Sequence, residues 1–176
     1  NHQLKDFFNN FKREKIAGIN VTVPFKKSVI PFLDKLSLEA EKTQSVNTII
    51  LDDENLVGYN TDIFGFETAI KKINFNIQNK KALILGAGGV VPSIIYALKK
   101  MKVLEITISN RTIHNAENLK NYFEDLKVIK WGHISEFDII INATSLGLND
   151  ESINLDFSSV GKNKLFFDVI YNPDET

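Results

Sequence analysis

No cysteine occurs among the 176 residues. Disulfides, thiolate zinc sites and a cysteine nucleophile are therefore excluded, and a reducing, cytoplasmic setting fits. Histidine is scarce. His2, His114 and His133 stand in no metal-ligating spacing, so no metal site is expected, and no Ser-His-Asp context accompanies them. An excess of one charge sign is lacking too. With 21 basic and 22 acidic residues the net charge is −1, so there is neither a basic stripe for nucleic acid nor a polybasic tail for anionic lipid. The longest apolar runs are strand-sized, short of the roughly 20 residues that a membrane-spanning helix needs. No signal-peptide pattern is visible. What remains is 43% hydrophobic residues, enough for a real core in one large or two small domains. The chain opens on Asn1 and stops after "YNPDET", and both ends read as cut.

Two rhythms run along the chain. Residues 3–14 place Leu4, Phe7, Phe8 and Phe11 on one helical stripe. "KIAGINVTV" reads as a strand with Ile19, Val21 and Val23 on one face and Asn20 and Thr22 on the other. Pro24 then suits the first position of a helix, and "FKKSVIPFLDKL" predicts a short helix interrupted at Pro31. "VNTIIL" and "NLVGY" predict two strands joined by the turn Asp52–Asp53–Glu54. A helix is expected over 61–73, with Phe66, Ile70 and Ile73 on its buried face. From residue 81 strands and helices alternate: strand "KALIL", helix 90–101, strand "LEITIS", helix 112–125, then strands "KVIKW", "FDIIIN" and "KLFFDVIY". Near-continuous apolar strands separated by helices indicate a doubly wound α/β sheet. The expected fold is therefore α/β: a Rossmann-like dinucleotide-binding domain over 63–176 and an incomplete α/β substrate domain over 1–62.

"LILGAGGVVPS" puts Gly86, Gly88 and Gly89 between an apolar strand and a helix. Backbone N–H groups at such a helix start can cradle a pyrophosphate, and glycines let it approach closely. The match to G-x-G-x-x-G is imperfect, since Val91 takes the third glycine position and Gly89 is extra. The end of the next strand carries "SNRT". NAD-binding folds usually place a carboxylate there for the ribose 2′-hydroxyl. Arg111 instead offers a planar guanidinium suited to a 2′-phosphate. A cation at a helix start also opposes the helix dipole, which favours a ligand role over a structural one.

The polar face of the first strand leads through Asn20 and Thr22 to Lys26. "SVNT" adds Asn47, and "GYNTD" adds Asn60, Thr61 and Asp62. Each has a structural explanation: Thr61 as a helix cap, Asp62 as a dipole-complementing acid, Asn47 as a turn residue. Beside a dinucleotide domain they also form the parts of a ketone reductase. Hydride addition to a carbonyl builds an alkoxide; a lysine can protonate it while a carboxylate keeps that lysine oriented and charged.

"NVTVPFK" (20–26), "SVNT" (45–48), "GYNTDIFGF" (58–66), "GAGGVV" (86–91), "NRT" (110–112), "NATSLG" (142–147) and "DVIYNP" (168–173) appear in the order and spacing found in shikimate dehydrogenases, so the chain resembles that family over essentially its whole length. The resemblance implies NADPH-dependent reduction of 3-dehydroshikimate to shikimate in aromatic amino-acid and chorismate biosynthesis, in the cytoplasm, by a monomer or homodimer. It makes Lys26 the catalytic lysine and Asp62 its partner. Thr22, Asn47 and Tyr171, together with Asp62, become substrate ligands. Gly86, Ala87, Gly88, Gly89 and Val90 form the pyrophosphate turn, Asn110, Arg111 and Thr112 the 2′-phosphate site, and Val169 lines the nicotinamide. The family often carries a second basic residue after its arginine, where this chain has His114 and Asn115. The family's first strand with its serine-bearing loop, and its closing helices, are not represented in the sequence. A quinate-using relative and a non-catalytic NADP-binding module are the alternative readings.

Overall fold

Alternating apolar residues and a two-residue turn build the first sheet. The computed structural model describes residues 2–148, 151–158 and 160–170. After helix α1 (His2–Arg13), strands β1 (Gly18–Asn20), β2 (Lys35–Leu36), β3 (Thr48–Asp52) and β4 (Asn55–Tyr59) form a four-stranded sheet in the order β1-β3-β4-β2. Strands β3 and β4 make the expected hairpin, with Asp52 opposite Asn55 and Asp53 in the left-handed region at φ 52°. Strand β1 is antiparallel to β3, whereas β2 runs parallel to β4. Phe8 and Phe11 of α1 pack with Val21, Val29, Val46, Ile49 and Leu56 into this half's own core. Phe7, on the edge of the helical stripe, remains largely exposed.

Several expectations in this half need correction. Strand β1 stops at Asn20, and Val23 is 65% exposed rather than facing inward with Ile19 and Val21. Pro24 brings no N–H to a ladder, and the Val23–Pro24 peptide is cis. Residues 23–29 form successive turns and not a helix, followed by one 3₁₀ turn at Ile30–Phe32. The reason is visible in the hydrogen bonds. The Lys26 carbonyl accepts the Val46 N–H at 2.8 Å, while the Ile30 N–H bonds to the Lys27 carbonyl at 3.2 Å. A helix would need Ile30 to bond to Lys26. The sequence reading also missed β2 and the short helix α2 (Leu38–Thr43), which Ser37 caps by accepting the Ala40 N–H.

Helix α3 (Asp62–Ile73) links the two halves. Its Ile63, Phe66 and Ile70 are buried in the core of the second half, whereas Ile73, expected inside, lies in the last turn and is 47% exposed. Buried Glu67 of α3 pairs with Lys100 of helix α4 (Val91–Lys100) at 2.9 Å.

The second half is a wholly parallel five-stranded sheet, β7 (Leu126–Lys130), β6 (Glu105–Asn110), β5 (Lys81–Leu85), β8 (Ile139–Asn142) and β9 (Leu165–Asp168), in that spatial order. One face packs Ile84, Ile106, Ile108 and Ile141 against α3 and α4. The other packs Leu83, Leu85 and Ile140 against Trp131, Phe137, Leu155 and Phe157. This is the doubly wound architecture expected, with its switch point between β5 and β8. The helix expected over 112–125 is shorter: α5 (Ile113–Glu117) gives way to a 3₁₀ turn at Asn118–Asn121. Asn115, Asn118 and Asn121 crowd this stretch, and asparagine competes with the helix for backbone partners.

Candidate active site

Lys26 stands on a turn that backbone bonds hold rigid. The Phe25 N–H donates to the Thr22 carbonyl at 2.8 Å, the Val29 N–H to Phe25 at 3.1 Å, and Val46 ties the Lys26 carbonyl to the entry of β3. Asp62 is the first residue of α3. The Lys26 ammonium donates to Asp62 Oδ2 at 2.7 Å, and the Asn47 amide donates to Asp62 Oδ1 at 2.8 Å. Each carboxylate oxygen therefore has its own donor, which fixes the plane of the group. The pair is sheltered but reachable, with the lysine side chain 15% and the aspartate 25% exposed. Such a short, charge-assisted contact keeps the ammonium aimed.

Asn47 is engaged more deeply than the sequence suggested. Its amide nitrogen also meets Thr61 Oγ1 at 2.8 Å, and its carbonyl oxygen accepts the Thr61 N–H at 2.9 Å and the Thr48 hydroxyl at 3.1 Å. It therefore buttresses Asp62. Thr61 occupies the position before α3 but makes no capping bond; the Asn60 side chain accepts the Asp62 N–H instead. Thr22 follows β1, is exposed, and its hydroxyl has no hydrogen-bond partner among the described residues. Tyr171 lies outside the described residues.

The expected cofactor residues gather at the carboxyl ends of the parallel strands. Gly86 to Val90 follow β5, Asn110 to Thr112 close β6, and Val169 follows β9. Gly86 has φ +107°, and a Cβ there would stand 2.7 Å from the Ala143 carbonyl oxygen. This glycine is required by the fold. Gly89 is different: a Cβ there would meet nothing within 4 Å. Among the described residues the N–H groups of Ala87, Gly88, Gly89 and Val90 have no backbone acceptor. Four unsatisfied donors at a helix start, beside open space, form a cradle for an anion. Arg111 is exposed and makes no ion pair among the described residues, while Asn110 folds its amide onto the Thr112 carbonyl at 2.8 Å. The Val169 N–H continues the β8 ladder by donating to the Asn142 carbonyl at 3.1 Å.

A further node lies in "NATSLG", a motif in which the sequence assigned no role to Asn142. Asn142 Oδ1 accepts from the Thr144 N–H and hydroxyl, and its amide reaches both the Leu146 carbonyl and Asp168 Oδ2 at 3.0 Å. It fastens the loop after β8 to the end of β9. A polar residue closing an otherwise apolar strand, "IIIN", was the available signal.

Side-chain contacts bring the halves together beside the Lys26–Asp62 pair. The Asn60 amide donates to Ser93 Oγ of α4 at 2.9 Å, and Lys27 Nζ donates to the Tyr122 hydroxyl at 3.2 Å. The chain thus combines an anion cradle at the end of a doubly wound sheet with a lysine–carboxylate pair on a second α/β unit, the parts that dinucleotide-dependent hydride chemistry uses. Residues 1–49 match the shikimate dehydrogenase substrate binding domain, and residues 67–170 match the shikimate / quinate 5-dehydrogenase family. The chain belongs to that family. The shikimate dehydrogenase (NADP(+)) of Pelagibacter ubique is 55% identical over 175 residues, covering 99% of this chain and 66% of its own length. Shikimate dehydrogenase from Aquifex aeolicus superposes with a TM-score of 0.88 at 37% identity, over 97% of this chain and 64% of that one. The Thermus thermophilus enzyme, solved with NADP(H) and shikimate, gives 0.85 at 30% identity, over 97% and 64%. The chain thus spans about two thirds of the length of these relatives.

Proposed function

We propose that the protein reduces 3-dehydroshikimate to shikimate, reversibly, using NADPH. The Lys26–Asp62 pair at 2.7 Å carries this reading. The dinucleotide fits the chain's own features: N–H groups from Ala87 to Val90 without a backbone acceptor among the described residues for the pyrophosphate, open space at Gly89, and Arg111, with no ion pair among those residues, together with Asn110 and Thr112 for the 2′-phosphate. When bound, it supplies the hydride that adds to the ketone carbon. Lys26 then delivers a proton to the ketone oxygen as negative charge builds there, and Asp62 holds the ammonium in line. Asn47 keeps Asp62 from rotating. The open hydroxyl of Thr22 is assigned to a substrate hydroxyl, Tyr171 is assigned to the substrate as well, and Val169 to the wall of the nicotinamide pocket. Residues 1–62 are assigned to the substrate half and 63–176 to the dinucleotide half. A cytoplasmic location, where a soluble nicotinamide pool exists, belongs to this reading.

A cofactor-sensing module without chemistry has no use for a lysine, a carboxylate and an amide locked together in one network. The test is steady-state kinetics of the full-length protein with shikimate or quinate and with NADP or NAD. Lys26→Ala should lower kcat by roughly 10²–10⁴-fold, the usual size of an acid–base contribution, with NADPH affinity unchanged. Near-full turnover in that variant would refute the role. A preference for quinate would move the protein to the other activity that the family's description names.

A further inference from the structure

Asn60 is nearly buried, 6% exposed, and every polar atom of its side chain is used. Its amide donates to Thr43 Oγ1 of α2 and to Ser93 Oγ of α4, each at 2.9 Å. Its carbonyl oxygen accepts the Asp62 N–H at 3.2 Å. The orientation of the amide follows from its neighbours. The Thr43 hydroxyl already donates to the Glu39 carbonyl at 2.7 Å, so it must accept from Asn60, and the Asp62 N–H can only donate. Thr43 and Ser93 are both 1% exposed, so no water competes for these bonds. Ser93 lies in the first turn of α4, directly after the glycine turn. One side chain therefore connects the catalytic carboxylate, the substrate sheet's helix and the helix that begins at the cofactor cradle.

We propose that Asn60 is a positioning residue that sets the Lys26–Asp62 pair against the cofactor helix through its bond to Ser93. The inference rests on the reductase reading above. Lys26 and the anion cradle belong to separately packed halves, so the distance between proton donor and hydride donor is set by what fixes one half to the other. A surface ion pair tolerates rotation; a fully satisfied buried amide with donors and acceptors in fixed directions does not. The neighbouring Ser45 hydroxyl, 3.5 Å from the Gly89 carbonyl, adds only a long contact. The Asn60–Ser93 bond is thus the short, buried link between the halves at this point.

The test uses the full-length protein and two isosteric or near-isosteric changes, since Asn60→Ala itself disrupts three elements. Ser93→Ala removes only the bond between halves; Thr43→Val removes bonds within the substrate half alone, those to Asn60 and to the Glu39 carbonyl. Ser93→Ala should lower kcat about tenfold or more, on the scale that small misplacements cost, with KM for both substrates changed less than about threefold. The primary deuterium isotope effect on kcat should rise, because hydride transfer becomes more rate-limiting. Thr43→Val should keep kcat and the isotope effect of the parent. Parent-like kcat and isotope effect in Ser93→Ala, or an equal fall of kcat in Thr43→Val, would overturn the proposal. Parent-like turnover in Lys26→Ala would instead overturn the reductase reading, so the two failures are separable.

Discussion

Replacing Gly86 and Gly89 separately by alanine should produce opposite kinds of damage. At Gly86 the backbone sits at φ +107°, where an L side chain costs about 1–2 kcal/mol. The new methyl would lie 2.7 Å from the Ala143 oxygen and 2.9 Å from its carbonyl carbon. That carbonyl cannot retreat easily: the Ala143 N–H is bonded to Leu85 at 2.8 Å, and Ala143 is buried. Forcing a methyl into a closed site adds about 1–3 kcal/mol. Gly86→Ala should therefore lose about 2–5 kcal/mol, a large share of the roughly 5–15 kcal/mol that holds a domain together. At Gly89 the same methyl meets no protein atom, so stability should stay within about 1 kcal/mol. The methyl would instead stand beside the N–H groups assigned to the pyrophosphate, and NADPH binding should weaken by about tenfold or more, roughly 1.4 kcal/mol. Urea unfolding at constant m-value measures the first effect, and nucleotide titration the second. A Gly86→Ala loss under about 1 kcal/mol, or NADPH affinity in Gly89→Ala equal to the parent, would refute this division of labour.

Other consequences are as direct. Asp62→Asn should lower kcat with little change in NADPH affinity, because an amide cannot hold the Lys26 ammonium; unchanged kcat in steady-state assays would count against the pair. Arg111→Ala should weaken NADPH by roughly ten- to a hundredfold, as for one charge-assisted contact, and leave NADH nearly untouched; equal losses for both nucleotides would point to a folding effect. Asp138 accepts the Lys81 N–H at 2.9 Å and faces the Lys164 ammonium, and these two partners, the N–H first, hold its carboxyl below the usual 3.8. A depressed folded value means stability present above the unfolded value and lost as pH falls through the folded one. Asp138→Ala should thus cost about 1.5 kcal/mol near neutral pH, with the gap to the parent closing below about pH 4 in urea titrations; a gap independent of pH would contradict it.

The dinucleotide half was largely legible in the sequence because its signals are local. "KALIL" and "FDIIIN" are continuous apolar runs, the glycine turn is short, and strand and helix alternate. Helix 112–125 failed where local competition won, since the asparagines broke it after Glu117. The substrate half was harder to read. Whether Lys26 sat on a helix depended on Val46, twenty residues away in sequence, taking its carbonyl bond. The same holds for the site. Lys26 and Asp62 stood out as residue types suited to the chemistry. Asn47 holding Asp62, and Asn60 reaching Ser93, required knowing which strands and helices meet. Side-chain amides buried between elements leave no periodic trace along the chain.

Helix α3 starts at the site with Asp62 and buries Ile63, Phe66 and Ile70 in the core opposite the one that supports Lys26. The Lys26–Asp62 pair therefore sits where the two packed bodies join: Lys26 and Asn47 hold the carboxylate from the first, while the helix that Asp62 begins is anchored in the second. A shift of one core against the other would pull the carboxylate away from its lysine and amide donors without opening either interior.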